Sequence, residues 1–241
     1  MNNYYNFLFK SRNQNRFLSF YLIFRLFFFR RLNFLEKKYY KKYLDINENN
    51  LDFKSRGKYT QDWFSYNIKY IARTIYKYNL ENKNLNILEI GSYEGLSTVF
   101  FLSILRNSQV TCIDPFCDFE ENKDKNFNEV YENFLFNTRE YSKRVKLFKG
   151  ISDDYFKNQS NELFDIVFVD GSHYAENVFR DAINSFNKLK KGGIIIFDDF
   201  LWKYHKDPNQ NPIGGIKKFL SKNFFNLKII SISYQIIIMK I

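Results

Sequence analysis

Cysteine and histidine are scarce in this chain, with two of each among 241 residues. Two thiols, Cys112 and Cys117, without a recognisable secretion signal predict a protein of a reducing compartment, which we take to be the cytoplasm. A zinc site needs about four clustered nitrogen and sulfur ligands, more than this chain places around either cysteine. These shortages disfavour a disulfide-stapled or zinc-dependent protein.

The chain also lacks an apolar run long enough to cross a bilayer. Residues 17–29 are apolar apart from Ser19 and Arg25, and this run falls short of the roughly 20 residues that a spanning helix needs. Arg25 and the absence of a small-residue cleavage site argue against a signal peptide. On a helical wheel the arginines at positions 12, 16, 30 and 31 share one side, which is typical of a lid, a dimer contact in a homo-oligomer, or a membrane-surface helix formed by residues 12–31. The pattern favours a lid or dimer contact over membrane association.

A glycine-containing turn stands between a predicted strand and a predicted helix at residues 87–98. Gly91 and Gly95 permit close approach of the backbone to a ligand, and a helix beginning near Glu94 would present unpaired N–H groups to it. The spacing is Gly-x-x-x-Gly, with Tyr93 where a dinucleotide fold has its middle glycine, so the turn disfavours NAD. The loop carries no Lys or Arg, and Glu89 precedes it, which favours a ligand with an amine and a positive charge.

S-adenosylmethionine has both of these properties, and Glu-Ile-Gly-Ser-Tyr-Glu-Gly resembles the first motif of class I methyltransferases. The resemblance implies that Glu89 lies near the amine of this cofactor. It also implies that the loop residues contact the cofactor, namely Gly91, Ser92, Tyr93 and Gly95.

Further apolar runs follow in the order that this fold requires. Residues 109–114 end in Asp114, about twenty residues after the first glycine, where a carboxylate is expected to hold a ribose. Ser152 and Asp153 follow the next strand and resemble the adenine-edge position of the family, or serve only as helix caps. With the runs at 164–170 and 193–199 and a final antiparallel pair at 225–241, the sequence predicts a Rossmann-like, doubly wound α/β sheet. It would have seven strands, mostly parallel with an antiparallel last strand, and a helical N-terminal extension.

Acidic residues end the last two parallel runs, in Asp170-Gly171-Ser172-His173 and in Asp198-Asp199. The carboxyl ends of parallel strands meet at one rim, so we expect these residues to converge there with Glu89 and Asp114. Close carboxylates raise each other's pKa unless a cation lies among them, and oxygen ligands favour Mg²⁺. His173 would then accept a proton near neutral pH.

This cluster is similar to that of methyltransferase family 24, the group containing macrocin O-methyltransferases and cephalosporin hydroxylase-type proteins. The resemblance covers roughly residues 58–241. It implies magnesium at Asp170, Asp198 and Asp199, with Asp170 also on the cofactor side, and His173 as the base that activates a small-molecule hydroxyl. The family's pair is often Glu-Asp, so the shorter Asp198 places its oxygens differently. Two alternatives stay open: a cofactor-binding membrane-surface or scaffolding protein without turnover, and a methyltransferase acting on another group.

Positive charge is concentrated in the first quarter of the chain. Residues 1–58 hold 13 Lys and Arg against 4 Asp and Glu, whereas residues 59–241 hold 24 against 22. The core also lacks an Asn-Pro-Pro-Tyr type signature of base methylation, so we expect no nucleic-acid partner. We divide the chain into a basic, aromatic-rich N-terminal extension at residues 1–58 and a methyltransferase domain at residues 59–241, with residues 47–50 as the linker.

The sequence also predicts four local features. A helix is predicted from Tyr59 with Thr60 as its cap and with Trp63, Ile68 and Ile71 on its buried face. The helix before the fifth strand should stop at residues 190–193. The loop at residues 200–212 should be polar and shape the substrate site, and His205 within it should be solvated.

Overall fold

The structure is a computed structural model that describes residues 17–28, 54–117, 126–158 and 162–241. The arginines at positions 12, 16, 30 and 31 and the predicted linker at 47–50 lie outside the described residues. The described residues divide into two compact units. One unit consists of residues 17–28 and Asp165–Ile241, and the other of the described residues between 40 and 164.

Seven strands form one sheet in the order β3-β2-β1-β4-β5-β7-β6. The antiparallel strand β7 lies between β5 and β6, so the predicted sheet with an antiparallel last strand is confirmed. The strands are β1 (Asn86–Ile90), β2 (Gln109–Asp114), β3 (Val145–Lys149), β4 (Phe164–Val169), β5 (Leu189–Phe197), β6 (Leu227–Ile232) and β7 (Ile236–Lys240).

Helices alternate with the strands, as the apolar periodicity predicts. In the described part of the chain they are α1 (residues 17–28), α2 (Ile68–Lys77), α3 (Leu96–Ile104), α4 (Phe127–Thr138), α5 (Ser152–Asn158), α6 (Ala175–Lys188) and α7 (Pro212–Asn223). Short 3-10 turns cover Arg139–Arg144, Pro208–Gln210 and Phe224–Asn226.

In the unit between residues 40 and 164, β1 pairs in parallel with β2, and β2 pairs in parallel with β3. The register sets Glu89 beside Cys112, and both side chains are buried. The apolar residues of β1 and β2 are almost completely buried, as expected for strands covered on both faces. Because β1 and β2 are parallel, their carboxyl ends lie together, and the turns that follow them are neighbours.

In the other unit, α6 and α7 pack closely against each other. A Cβ atom on Gly215 of α7 would lie 2.2 Å from the carbonyl oxygen of Ala175 in α6, so the contact requires glycine at this position. The same unit contains the antiparallel strands β5, β7 and β6, whose isoleucines are buried. This packing supports the ends of β4 and β5, where the acidic residues lie.

The predicted helix stop at residues 190–193 is wrong, because these residues belong to β5. Leu189 is buried at the start of the strand. The ammonium of Lys190 binds both carboxylate oxygens of Asp165 in β4 at 2.9 Å. The chain therefore passes from α6 into β5 without a separate turn.

The helix predicted from Tyr59 begins later, at Ile68. Thr60 does not cap it, because its backbone N–H and hydroxyl both donate to the Glu94 carboxylate. The buried face is confirmed for Ile68 and Ile71, whereas Trp63 is 59% exposed and does not belong to the core. The hydrogen bonds from Thr60 to Glu94 thus take the place of the first helical turns that the sequence predicts.

Residues 17–28 of the N-terminal extension are helical, as predicted. Leu18, Leu22 and Leu26 of α1 are buried, and the guanidinium of Arg25 donates to the carbonyl oxygen of Ile229 in β6 at 2.6 Å. The rings of Phe17 and Tyr21 meet the ring of Phe224 edge-on. Across the described ranges, no helix has both the length and the apolar character that crossing a membrane demands.

Candidate functional site

The turn after β1, which we call the glycine loop (residues 91–95), is built on left-handed backbone conformations. The φ angles are 86° at Gly91, 45° at Tyr93 and 79° at Gly95. A Cβ atom on Gly95 would also lie 3.1 Å from the ring of Phe134, so both conformation and space favour glycine there. Helix α3 begins at Leu96, two residues later than the sequence suggests, because Gly95 is its N-cap.

Asp114, the predicted ribose ligand at the end of β2, holds this loop in place. Its Oδ2 accepts from the backbone N–H of Tyr93 at 2.8 Å, and its Oδ1 accepts from the N–H of Phe116 at 2.8 Å. Burial raises the pKa of Asp114, and the backbone hydrogen bonds oppose that shift. A carboxylate has about four acceptor positions. The backbone N–H of Ser92 is a third donor to this carboxylate, so about one position stays available to a hydroxyl group of a ligand.

Glu89, the predicted amine ligand, is completely buried at the end of β1. Its Oε2 accepts from the hydroxyl of Thr98 and from the thiol of Cys112 at 3.5 Å. Its Oε1 and the Ser92 hydroxyl in the glycine loop are both buried and make no hydrogen bond of regular geometry, although the hydroxyls of Ser92 and Ser97 lie close to the Glu89 carboxylate. Burial raises the pKa of Glu89 to about 7, and hydrogen bonds from neighbouring side chains oppose the shift. A buried acceptor without a partner fits a ligand that brings a charged donor.

Glu94 is a residue of the glycine loop whose role sequence analysis missed. Its carboxylate accepts from the backbone N–H of Thr60 at 2.6 Å, from the Thr60 hydroxyl at 3.0 Å and from the Asn133 amide at 2.9 Å. Asn137 adds a bond to the Glu94 carbonyl and a pair of bonds to the backbone of Lys58. Glu94 therefore fastens the segment at Lys58–Thr60 and helix α4 to the loop.

Aromatic side chains lie beside the glycine loop. The rings of Trp63 and Tyr93 are 5.2 Å apart at 37°, and the Tyr93 hydroxyl lies 3.4 Å from the Thr60 hydroxyl. Both rings are large and partly or mostly exposed. The sequence identified Tyr93 as a replacement for glycine but not its pairing with Trp63.

Ser152 and Asp153, the predicted adenine-edge residues, begin α5 after β3. Ser152 is the first residue of the helix and Asp153 lies in its first turn, where an acidic side chain interacts favourably with the helix dipole. This position agrees with both alternatives that the sequence left open, a cap or a ligand contact.

The unit containing residues 165–241 carries the second predicted group. The ends of β4 and β5 are joined by a hydrogen bond from the backbone N–H of Asp198 to the carbonyl of Val169 at 3.0 Å. The pocket at this end, which we call the acid–histidine pocket, is lined by Val169, Asp170, Gly171, Ser172, His173, Val178, Phe197, Asp198, Asp199 and Pro212.

His173 and Asp199 form a hydrogen-bonded pair in this pocket. Nε2 of His173 lies 2.8 Å from Oδ2 of Asp199, and the imidazole ring stacks on Trp202 with a centroid distance of 4.4 Å. Asp199 has a φ of 54°, a left-handed conformation that is uncommon for a residue with a side chain. When Nε2 carries the hydrogen, Nδ1 is the atom that accepts a proton. The hydrogen bond and the stacking contact together fix the orientation of the imidazole ring.

Asp198 is buried next to this pair. Burial, followed by the charge of Asp199, raises the pKa of Asp198 to about 7, and the bond from the Asp199 N–H to its carboxylate opposes the shift. In the residues that the structure describes, no three His, Cys, Asp or Glu side chains are arranged to hold a metal ion. Asp170, Asp198 and Asp199 do not form such a set here, and the magnesium assignment stays a prediction.

The loop at residues 200–212 is less polar and more ordered by side chains than expected. Phe200 and Leu201 are buried, and so is Asn211. The Asn211 amide accepts from the N–H groups of Tyr204 and His205 and donates to the carbonyls of His205 and Asp207.

The predicted solvation of His205 is wrong. Its Nε2 is buried, and its ring lies 4.8 Å from that of Tyr174 and 5.1 Å from that of Tyr204. These aromatic contacts leave His205 half-buried and not fully solvated. His205 therefore packs within its loop, and it is not one of the residues lining the acid–histidine pocket.

Residues 88–200 match a family model whose description is a methyltransferase domain. They are a methyltransferase domain of family 24. The segment begins in β1 and ends just after Asp199, so it includes both the glycine loop and the acid–histidine pocket. The predicted family is confirmed.

A curated relative is the uncharacterized protein R132 of Acanthamoeba polyphaga mimivirus, 31% identical over 125 residues. The match covers 50% of this chain and 53% of R132, so the chain spans about half the length of this relative.

Solved structures have the same fold at low sequence identity. The MycE methyltransferase of the mycinamycin biosynthetic pathway, in complex with Mg, SAH and mycinamycin VI, has a TM-score of 0.55 and 17% identity, over 79% of this chain and 54% of that chain. An O-methyltransferase from Bacillus cereus in complex with SAH has a TM-score of 0.55 and 18% identity, over 85% and 91%. These likenesses confirm the α/β methyltransferase fold.

Proposed function

We propose that this protein transfers a methyl group from S-adenosylmethionine to a hydroxyl group of a small-molecule acceptor. The hydrogen bond between His173 Nε2 and Asp199 Oδ2 carries this proposal. A hydroxyl oxygen must lose its proton when it gains a methyl group, and an oriented imidazole is suited to accept it. The methyltransferase domain at residues 88–200 supports the choice of methyl donor.

The glycine loop supplies the proposed cofactor contacts. Ionised Glu89 would accept from the amino group through Oε1, and the Ser92 hydroxyl close to this carboxylate offers a second contact, since both atoms are buried and lack hydrogen bonds of regular geometry. Asp114 would hold a ribose hydroxyl with the acceptor position that the backbone of Ser92, Tyr93 and Phe116 leaves available. Ser152 and Asp153 are proposed at the adenine edge. When bound, the cofactor supplies a methyl group on a sulfonium that departs as a neutral thioether.

His173 performs the proton transfer in this proposal. In the tautomer in which Nε2–H donates to Asp199, Nδ1 would take the proton from the acceptor hydroxyl. As the oxygen–methyl bond forms, the carbon–sulfur bond breaks and its electron pair stays on sulfur. The charge of Asp199 then stabilises the imidazolium. Trp202 keeps the ring oriented by stacking on it.

The magnesium part of the proposal is kept separate from this proton transfer. Asp198 and Asp199 are adjacent carboxylates, and a cation between them would remove their repulsion. Asp170 is the third oxygen donor proposed for it. None of the steps assigned to His173 depends on the ion.

The experiment that tests the function measures transfer of labelled methyl groups from S-adenosylmethionine to a panel of small hydroxyl compounds. We expect His173→Ala to lower turnover by about 10²–10⁴, and Asp199→Asn to lower it as well because the ring loses its oriented tautomer. Binding of S-adenosylhomocysteine should change by less than about twofold, since neither side chain is assigned to the cofactor. The matched control is His205→Asn, which alters the other histidine and should leave turnover near the parent rate. A His173→Ala protein at full rate would overturn the base assignment.

A further inference from the structure

Helix α1 exposes a row of phenylalanine side chains on one face. Five of its phenylalanines are between 45% and 63% exposed, namely Phe17, Phe20, Phe24, Phe27 and Phe28. At about 100° per residue, these positions fall within an arc of roughly 100° of the helix surface. We call this arc the phenylalanine face.

The opposite side of α1 attaches the helix to its own unit. Leu18, Leu22 and Leu26 are at most 2% exposed, and Arg25 donates to the carbonyl oxygen of Ile229 in β6. The leucine positions lie about 180° from the centre of the phenylalanine face. The helix is therefore apolar on both sides, but only the leucine side packs deeply in its unit.

Exposing such an apolar face to water is unfavourable in free energy, so the face indicates a binding surface. Scattered exposed apolar residues are ordinary, whereas a contiguous row of large aromatic side chains marks a surface that binds a partner or a membrane. A surface helix would otherwise place polar residues on this side.

The net positive charge of the sequence that contains α1 indicates the kind of partner. Residues 1–58 carry a surplus of 9 positive charges, against a surplus of 2 in the remaining 183 residues. In the sequence, Arg16 directly precedes the helix, and Arg30 and Arg31 follow it closely. This charge attracts an anionic lipid surface and repels a second copy of the same segment. The positive charge therefore favours an anionic bilayer over a second copy of the chain as the partner of this face.

We propose that the phenylalanine face of α1 docks on an anionic lipid bilayer, with the helix lying in the plane of the interface. Twelve residues of helix extend about 18 Å, well short of a hydrocarbon core of about 30 Å. Aromatic side chains and flanking basic residues are typical of helices that lie at this boundary. The inference goes beyond methyl transfer, because it concerns where the enzyme works and which acceptors reach it. It also differs from the sequence-based prediction, which favoured a lid or dimer contact over membrane association.

Co-sedimentation of the full chain with vesicles tests this proposal. We compare neutral phosphatidylcholine vesicles with vesicles containing about 30% phosphatidylserine. The parent should bind the anionic vesicles, and raising the salt should weaken binding. The variant Phe20→Ser/Phe24→Ser/Phe27→Ser should lose at least about tenfold in partitioning, because each ring contributes buried apolar area.

A matched control removes three exposed apolar side chains of the other unit, with Leu135→Ser/Ile151→Ser/Leu163→Ser. It should bind vesicles like the parent. Thermal unfolding by circular dichroism checks that both triple variants fold. If the α1 variant does not fold, Phe20→Trp gives a second readout, since its fluorescence should shift to the blue and be quenched by brominated lipid only when the face inserts.

Three results would overturn the proposal. The first is equal vesicle binding by the parent and the α1 variant. The second is binding that does not depend on anionic lipid. The third is a parent that ignores vesicles but forms a dimer in sedimentation velocity, with the dimer lost in the α1 variant, which would assign the face to a second copy of the chain.

Discussion

The backbone N–H of Tyr93 donates to the carboxylate of Asp114 at 2.8 Å, which ties the turn after β1 to the end of β2. The carboxylate that the sequence assigns to a ribose therefore has a second task. It holds the unusual positive φ of Tyr93 in the glycine loop. Changes at Asp114 should affect the loop and the cofactor together.

Asp114→Ala should weaken S-adenosylhomocysteine binding about tenfold to a hundredfold, corresponding to ~1.5–3 kcal/mol for lost hydrogen bonds to a charged group. Isothermal calorimetry measures the affinity, and thermal unfolding reports the loosened loop. The matched control is Asp165→Ala, which removes another aspartate that has a partner, the ammonium of Lys190. Affinity unchanged by Asp114→Ala would contradict both the ribose contact and the importance of the loop tie.

Glu89 should make stability depend on pH. Its folded pKa is raised from 4.5 to about 7, so its stabilising contribution is complete below about pH 4.5 and is lost as the pH rises through 7. The difference amounts to roughly 3 kcal/mol at about 1.4 kcal/mol per pKa unit. Glu89→Gln mimics the protonated carboxyl, so urea denaturation should show the variant gaining stability relative to the parent between pH 5 and pH 8. A difference that is constant across this range would show that Glu89 does not titrate there.

Glu94 should contribute to stability more than an exposed glutamate does. Glu94→Ala leaves the Thr60 N–H and the Asn133 amide without their acceptor, which should cost about 1.5–3 kcal/mol in the free energy of unfolding. Glu140→Ala is the control, because Glu140 is exposed and lies 3.9 Å from Arg139. It should change stability by less than about 0.5 kcal/mol. Similar losses in the two variants would mean that the tie at Thr60 is not stabilising.

The magnesium proposal predicts that chelation lowers turnover and that added Mg²⁺ restores it. The physical reason is the repulsion between the neighbouring carboxylates of Asp198 and Asp199, which a cation would relieve. Activity assays with EDTA, followed by Mg²⁺ or Ca²⁺, measure the effect, and calorimetry checks that cofactor affinity is retained. If the chelator leaves turnover unchanged, the magnesium proposal is contradicted, whereas the proposal that His173 acts as the base with Asp199 is not affected.

Local pattern in the sequence was sufficient to predict the succession of strands along the chain, the class of fold and the methyltransferase family, whereas the roles of the residues in both candidate sites stay predictions. Apolar runs that end in an acid identify parallel strands buried on both faces, and Gly91 and Gly95 identify a turn that other residues adopt poorly. These signals lie within a few residues of each other, so they can be read without the fold.

Only the tertiary structure decided which polar groups meet across long stretches of chain. Thr60 binds Glu94, 34 residues away, and Asn137 binds Lys58, 79 residues away, so Thr60 is not a helix cap. The exposure of Trp63 and the packing of His205 against Tyr174 also depend on distant residues. The local sequence does not show which distant residues a side chain will contact. In α1 the leucines and phenylalanines are equally apolar in sequence. Which side faces outward depends on the surface formed by residues distant in the chain, such as Phe224 and Ile229.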